Sequence, residues 1–458
     1  MRGHPVRIRK GLDIPLEGAP AREMASAAPA PEIAFAPAGL PGVKLRLLVK
    51  EGDAVRRGQP ILRDKARPGL TFAAPATGTI RSIAFGPRRI LERVVMAPAA
   101  EDEPQPYERF DPAAVCQAPR ERVLDSLLRS GYFAFFRRRP FSTVPKPEAM
   151  PRDIFVNGMN TAPFLADIHV LARGFETAFQ AGLDALTRLT TGRVYLCLAD
   201  GAPDPLSAVS GARHVEIRTF AGPHPSGNSS VHIHHLAPIR PGDEVWTIRA
   251  ANVVRIGRLL MEGATPADQT VALAGPAVKK EHRRYYRAPA GASLDALLRG
   301  RLCEGETRVV SGDALAGIAL PSDGFLPPDT ESLTVLPEDR ERHFLGWAAP
   351  GVRFFSASRL FASRWWPAQR PWALGTNMHG RPRAMVVTGL YDRYLPMRIL
   401  PDYLIRAVLA RDWEEAVKLG LLEVDPEDFA LCAFACPSKM DLVGLVRDGL
   451  ERLESEGL

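Results

Sequence analysis

Residues 43–80 most constrain what this chain can fold into, because Gly and Pro break their apolar runs every few positions. Val43, Leu45, Leu47 and Val49 occupy alternate positions, the period of a half-buried strand. Glu51-Gly52-Asp53 turns the chain, and Gly58-Gln59-Pro60 turns it again ahead of Ile61-Leu62. Ala74-Pro75-Ala76-Thr77-Gly78-Thr79 makes a further turn into Ile80. Short strands punctuated in this way predict a small barrel or sandwich within residues 1–105.

This pattern looks like the swinging-arm domains that carry biotin or lipoate on a lysine at a hairpin tip. The corresponding stretch here is Asp64-Lys65-Ala66-Arg67-Pro68-Gly69, with an added Arg and Pro and no Met-Lys-Met. The expectation is the carrier fold without its chemistry: no covalent biotin or lipoate, with Lys65 as the one residue that keeps the question open.

A length of 458 residues implies about three or four domains. The 42 prolines favour short elements and ordered loops over a helical bundle. No apolar run approaches the ~18 residues of a membrane helix. The start, Met1-Arg2-Gly3-His4-Pro5, lacks the apolar core of a secretion signal. The expectation from these features is a cytoplasmic protein, one that other subunits must hold if it works at a membrane. Net charge is +7, with the basic residues spread along the chain and small clusters at Arg7-Ile8-Arg9-Lys10, Arg137-Arg138-Arg139 and Lys279-Lys280. No basic stripe interleaved with aromatics is read from this spread, so nucleic acid is not an expected partner. Cys116, Cys197, Cys303, Cys432 and Cys436 are odd in number and mostly far apart, which is no disulfide framework.

After the opening domain, Ala99 to Pro106 reads as a linker. Residues 106–150 predict a helix over Arg120 to Ser130 and then an exposed aromatic and basic segment. Residues 151–290 alternate apolar strands (Ile154 to Val156, Val194 to Ala199, His214 to Phe220) with helices from Pro163 and over Gly174 to Leu189, which predicts a parallel α/β layer. Residues 291–350 return to short strands, and residues 351–458 end in helices. Asp412 with Glu415 caps one, Asp425-Pro426 starts another, and Leu442, Leu445, Val446, Leu450 and Leu453 line a last one.

No G-x-G-x-x-G or G-x-x-x-x-G-K-[ST] follows any of these strands, so the usual phosphate cradles are not found. The nearest substitute is the loop Gly222-Pro223-His224-Pro225-Ser226-Gly227, whose N–H groups are candidates to meet an anion; its prolines each remove a donor. His232-Ile233-His234-His235 reads as a polar strand, on which His232 and His234 would share a face. A satisfied buried His is favoured there over a metal site. Cys432 and Cys436 stand one helical turn apart ahead of Pro437, the remnant of a cluster motif rather than a working iron–sulfur site. Between Phe133 and Phe141 four Phe mix with three Arg. Rings stack on a quinone headgroup and Arg donates to its carbonyl oxygens. By residue type alone, a domain-packing loop is the stronger reading.

The ordered set resembles one family, the NqrA subunits of the bacterial sodium-translocating NADH:quinone reductase. The resemblance rests on Ile8-Arg9-Lys10-Gly11-Leu12-Asp13-Ile14-Pro15, Phe72-Ala73-Ala74-Pro75-Ala76-Thr77-Gly78-Thr79 and Arg139-Pro140-Phe141-Ser142. It continues through Gly222 to Gly227, His232-Ile233-His234, Val387-Thr388-Gly389-Leu390-Tyr391, Ile399-Leu400-Pro401 and Leu431-Cys432 to Cys436-Pro437. Asn157-Gly158-Met159-Asn160 and Asn228-Ser229-Ser230 depart from the family's forms. The family is related to the NADH-binding subunit of respiratory complex I and to the cluster-bearing RnfC subunit of the Rnf electron-transfer complex.

The resemblance implies an α+β multidomain protein: a barrel-sandwich domain, a Rossmann-like α/β domain, a small β-rich domain of the soluble-ligand-binding type and a helical end. It implies a peripheral subunit with no covalent flavin and no iron–sulfur cluster, ubiquinone as substrate, and membrane and peripheral subunits of the sodium pump as partners. Phe133, Phe135, Phe136 and Phe141 are then the candidates to meet the quinone ring, with Arg137 as donor; His169 and His224 are the candidate proton sources. The alternatives are a docking subunit without ligand and an Rnf-type electron carrier.

Overall fold

A computed structural model describes residues 4–40, 42–201, 215–341, 346, 348–367, 370–386 and 389–457. His214, expected to open a strand, and Val387-Thr388 of the resemblance lie outside the described residues.

The opening domain is the expected barrel-sandwich. One sheet orders Ile33–Phe35, Leu91–Pro98, Gly78–Phe85 and Ala54–Val55; the other orders Leu45–Leu47, Pro60–Asp64 and Thr71–Ala73. Phe35, Val55, Ile61, Leu62, Phe72, Ile80, Val94 and Met96 fill the space between them. Gly58 turns the chain at φ 87°, a left-handed conformation that costs glycine nothing. The hairpin holding Lys65 is tied to the body. Buried Asp64 receives Arg67 Nε at 2.6 Å, and the same guanidinium donates to the Gly42 carbonyl at 2.9 Å and to that of Val144.

The helix Arg120–Ser130 has its predicted bounds and ends at Gly131, left-handed at φ 84°. Beyond it, Arg137–Arg139 forms an edge strand antiparallel to Val245–Arg249. The sheet then runs Ile154–Asn157, Val194–Ala199, Val215–Ala221 and Val6–Arg7, all parallel. Helices Glu176–Thr187 and Ala250–Glu262 cover one face. They touch backbone to backbone: a Cβ on Gly182 would collide with the Val253 carbonyl, and one on Gly257 with that of Ala178.

Three details differ from the sequence reading. The stretch from Pro163 gives only one helical turn, Ile168–Leu171, because Phe164 takes a positive φ of 65°. Residues Ser229–Leu236 form a helix instead of a strand. Eight residues of alternating character fit both periods, and packing of Ser230, Val231, His232 and Ile233 decides for the helix. The next sheet begins inside the segment assigned to the α/β layer. It orders Ile318–Leu320, Thr307–Ser311, Ser332–Pro337, Asp268–Ala274, Arg284–Pro289 and, from the chain's start, Ala21–Ser26. A pairing over so many residues leaves no local sequence signal.

Pro401–Ala410, Trp413–Lys418, Ala430–Ala435 and Leu442–Glu456 are the α-helices of the final domain, packed on Leu404, Leu421, Phe429, Val446 and Leu450. Among the described residues no helix is long and apolar enough to cross a membrane.

Candidate functional site

The segment expected to be exposed is largely interior. Phe133 and Phe136 have no exposed surface and meet fully buried Trp246, with ring centroids 5.6 and 5.4 Å away. This wedge fills the join between the helix Arg120–Ser130, the sheet edge and the helix Ala250–Glu262 because three large rings bury more apolar area there than any polar loop would. Phe135 reaches a small cavity of about 70 Å³ beside Phe35, Phe72 and Tyr132. The Arg137 guanidinium donates to the carbonyls of Ala134 (2.6 Å), Phe136 (3.2 Å) and Gly39 (3.1 Å), so protein oxygens already take its hydrogens. Burial pulls its pKa down, with Asp329 opposing.

Phe141 stands apart from its neighbours. It lines a cavity of about 540 Å³ between the sheet edge and the helical domain, within the range that holds small ligands. Trp413, Glu414, Val417, Lys418 and Leu422 close it from the helical side, and Arg240, Asp243 and Glu244 from the other. Arg138 sits 4.9 Å from the Phe141 ring centroid and pairs with Glu454. Beneath, Arg139 is 1% exposed and is held by Ser230 Oγ at 2.7 Å and Asp425 at 3.3 Å. Among the described residues neither Arg240 nor Lys418 pairs with a carboxylate. The capping pattern at Asp412 marks Trp413 as the first residue of a helix, half-exposed at a domain edge; only the fold reveals what it faces.

Three backbone donors of the loop from Gly222 to Gly227 are engaged. His224 N donates to Asp13 Oδ1 (2.8 Å), Ser226 N to the Pro223 carbonyl (2.9 Å) and Gly227 N to Thr161 Oγ1 (3.0 Å). His224 Nδ1 lies 3.1 Å from Thr161 Oγ1, and burial lowers its pKa despite Asp313 and Asp13. The loop thus pins the N-terminal segment to the sheet. On the helix that follows, His232 and His234 diverge, as residues two apart must. His232 is buried against Phe220, and burial pushes its pKa down to about 3. His234 meets Glu423 Oε2 at 2.8 Å. Neither His169 nor His224 lines either cavity. Among the described residues no cluster of His, Cys, Asp and Glu is arranged to hold a metal ion.

Sequence reading missed a buried charge cluster. The strands Ile154–Asn157 and Val245–Arg249 flank the point where strand order reverses, the place where open α/β sheets bind ligands. Arg249 ends one of them. Burial acts to lower its pKa, but Glu331, Glu427, Asp329 and Asp313 overcome that and raise it. Those side chains come from two other domains, so the Arg249 charge in the crevice is countered by the chain's own acidic groups.

Cys432 and Cys436 are fully buried. Cys436 Sγ lies 2.9 Å from the Tyr391 hydroxyl, and burial pushes the Cys432 thiol up. All five cysteines are free thiols.

Comparison with known proteins agrees with this architecture along the chain. Family models described as the NqrA N-terminal barrel-sandwich hybrid domain, the NqrA second alpha/beta domain and the NQRA C-terminal domain match residues 6–99, 118–265 and 270–320. The corresponding subunit of the Na(+)-translocating NADH-quinone reductase of Yersinia pseudotuberculosis is 38% identical over 455 residues, covering 99% of this chain and 100% of that protein. Its counterpart in Serratia proteamaculans is 40% identical over 460 residues, and that in Pasteurella multocida 38% over 454, with the same coverage. The chain belongs to the NqrA family of Na(+)-translocating NADH-quinone reductase subunits.

Proposed function

We propose that this chain is the peripheral NqrA subunit of a sodium-translocating NADH:quinone reductase and helps to hold the ubiquinone headgroup in the cavity between Phe141 and Trp413. Electron input from NADH and transfer to quinone belong to the assembled complex, and this chain contributes the shape and polarity of a binding surface. The observation that carries the reading is the composition of that cavity: about 540 Å³, two aromatic side chains, and the cations Arg240 and Lys418 without carboxylate partners among the described residues.

The chemistry follows from those groups. A quinone ring gains dispersion by lying against Phe141 or Trp413. Its carbonyl oxygens accept hydrogen bonds from a guanidinium or an ammonium, and such charge-assisted bonds strengthen as reduction puts negative charge on those oxygens. Of the residues expected to meet the ring, Phe141 fits this role. Phe133 and Phe136 are supports of the fold, and Phe135 lines a space too small for a ring. In the crevice where a Rossmann-like sheet would take a dinucleotide's phosphates, the Arg249 charge is already countered by the chain's own acidic groups.

The test is equilibrium binding of a short-tailed ubiquinone to the purified chain. Phe141→Ala and Trp413→Ala should each weaken binding about three- to tenfold, the worth of one aromatic contact. Unchanged affinity in both variants, with their folding verified by circular dichroism, rejects this cavity as the site.

A further inference from the structure

The even spread of charge expected from the sequence fails in one long stretch. Residues 342–391 contain no Asp and no Glu, although the chain has 52 acidic residues among 458. The same 50 positions hold seven Arg and four of the six Trp, Trp347, Trp365, Trp366 and Trp372. This is the interleaving of basic and aromatic residues that the overall composition conceals.

The structure divides the segment into an anchored side and a free side. Trp372 N donates to the Pro15 carbonyl at 2.8 Å, and the Trp372 carbonyl accepts from Glu17 N at 2.9 Å. The Phe355 ring stands 6.2 Å from Trp372 and 6.0 Å from Phe434 of the helical domain. Arg383 N donates to the Ser438 carbonyl at 2.8 Å. On the free side, Trp365 is 81% exposed and Leu360 76%, with Val352, Trp366, Met378 and Val386 also exposed. Arg370 stacks over the Trp366 and Trp372 rings at 4.7 and 5.2 Å, which fixes those rings in place. Among the described residues Arg353, Arg359, Arg364 and Arg381 have no carboxylate partner, whereas most arginines of the parallel and mixed sheets do.

We infer that residues 352–367 and 370–386 are the surface by which this subunit docks on another protein subunit, whose facing surface carries carboxylates around an apolar centre. The inference rests on the reading of the chain as one subunit of a complex. Exposed apolar area of this kind marks an interaction site, and Trp and Arg dominate interface binding energy. The charge demands a negative partner, because desolvated guanidinium groups need counter-charges. The irregular backbone favours protein over lipid. A surface that lies in a bilayer interface is normally an amphipathic helix, and the described part of this stretch has only the short 3₁₀ turn Ala362–Trp365.

The full chain, wild type and variant, is added to host membranes stripped of this subunit but retaining the others, and bound protein is measured against salt. Wild type should bind saturably and be released by salt. Arg359→Glu/Arg364→Glu and, separately, Leu360→Ala/Trp365→Ala should each lose about tenfold or more in affinity while keeping the wild-type thermal midpoint. Variants bound as tightly as wild type overturn the docking surface while leaving the subunit reading intact. Wild type that fails to bind these membranes overturns both. A parallel arm uses protein-free vesicles of phosphatidylglycerol and phosphatidylethanolamine; binding there that the same substitutions abolish overturns the protein partner in favour of a lipid surface.

Discussion

Burial beside Asp425 and Asp428 pushes the Glu427 carboxyl up to about 8, with Arg249 opposing. An acid whose folded pKa lies above its unfolded one holds its proton more tightly when folded. Its contribution to stability is complete below the unfolded value near 4.5 and is lost as pH climbs toward about 8. Buried His232 works in a different window. With its pKa pushed down to about 3, it adds stability as pH rises toward the ordinary histidine value and changes nothing above it. Between pH 6.5 and 8 the Glu427 carboxyl therefore contributes a falling slope. The thermal midpoint should fall across that interval in wild type and fall less in Glu427→Gln, as measured by calorimetry. Equal slopes in the two proteins would contradict the assigned burial and charge.

At the scale of elements, the aromatic wedge is the informative case. Phe136→Ala removes a fully buried ring that touches Phe133 and Trp246. It should cost about 3–5 kcal/mol in urea unfolding. Quinone affinity measured on the fraction still folded should not change, since that ring lines neither cavity. Much of the surrounding framework was legible in the sequence. Arg120–Ser130 and Val194–Ala199 have their predicted bounds because Gly punctuation and hydrophobic run length agree there. The helix Ser229–Leu236 was misread because its pattern is too short to separate the two periods. The exposure assigned to Phe133–Phe136 was misread for another reason. Arg137 to Arg139 look like surface residues in sequence, yet Arg137 donates to the Gly39 carbonyl and Arg139 is held by Ser230 and Asp425, partners remote along the chain. Of the candidate site, Phe141 was named, while Trp413, Lys418 and Arg240 come from segments that only the tertiary fold brings to it.

At the scale of the whole molecule, the positions where a carrier lysine, a dinucleotide or a cluster would be sought are given to other contacts. The hairpin that would present a carrier lysine is pinned by Arg67, Asp64 and the Val144 carbonyl. The switch-point crevice is lined by carboxylates from other domains. The thiols of Cys432 and Cys436 pack on Tyr391 within the helical core. Long-range segments hold the domains together: Val6–Arg7 extends the parallel sheet, and Ala21–Ser26 extends the mixed one. A rigid frame of this kind suits a protein that positions a substrate pocket at a domain boundary. The most direct test of that claim is photocrosslinking of a reactive ubiquinone analogue to the chain in its assembled complex, followed by peptide mapping. Label should appear in the peptides holding Phe141 and Trp413 and be displaced by unmodified ubiquinone. Displaceable label confined to other peptides would contradict the account.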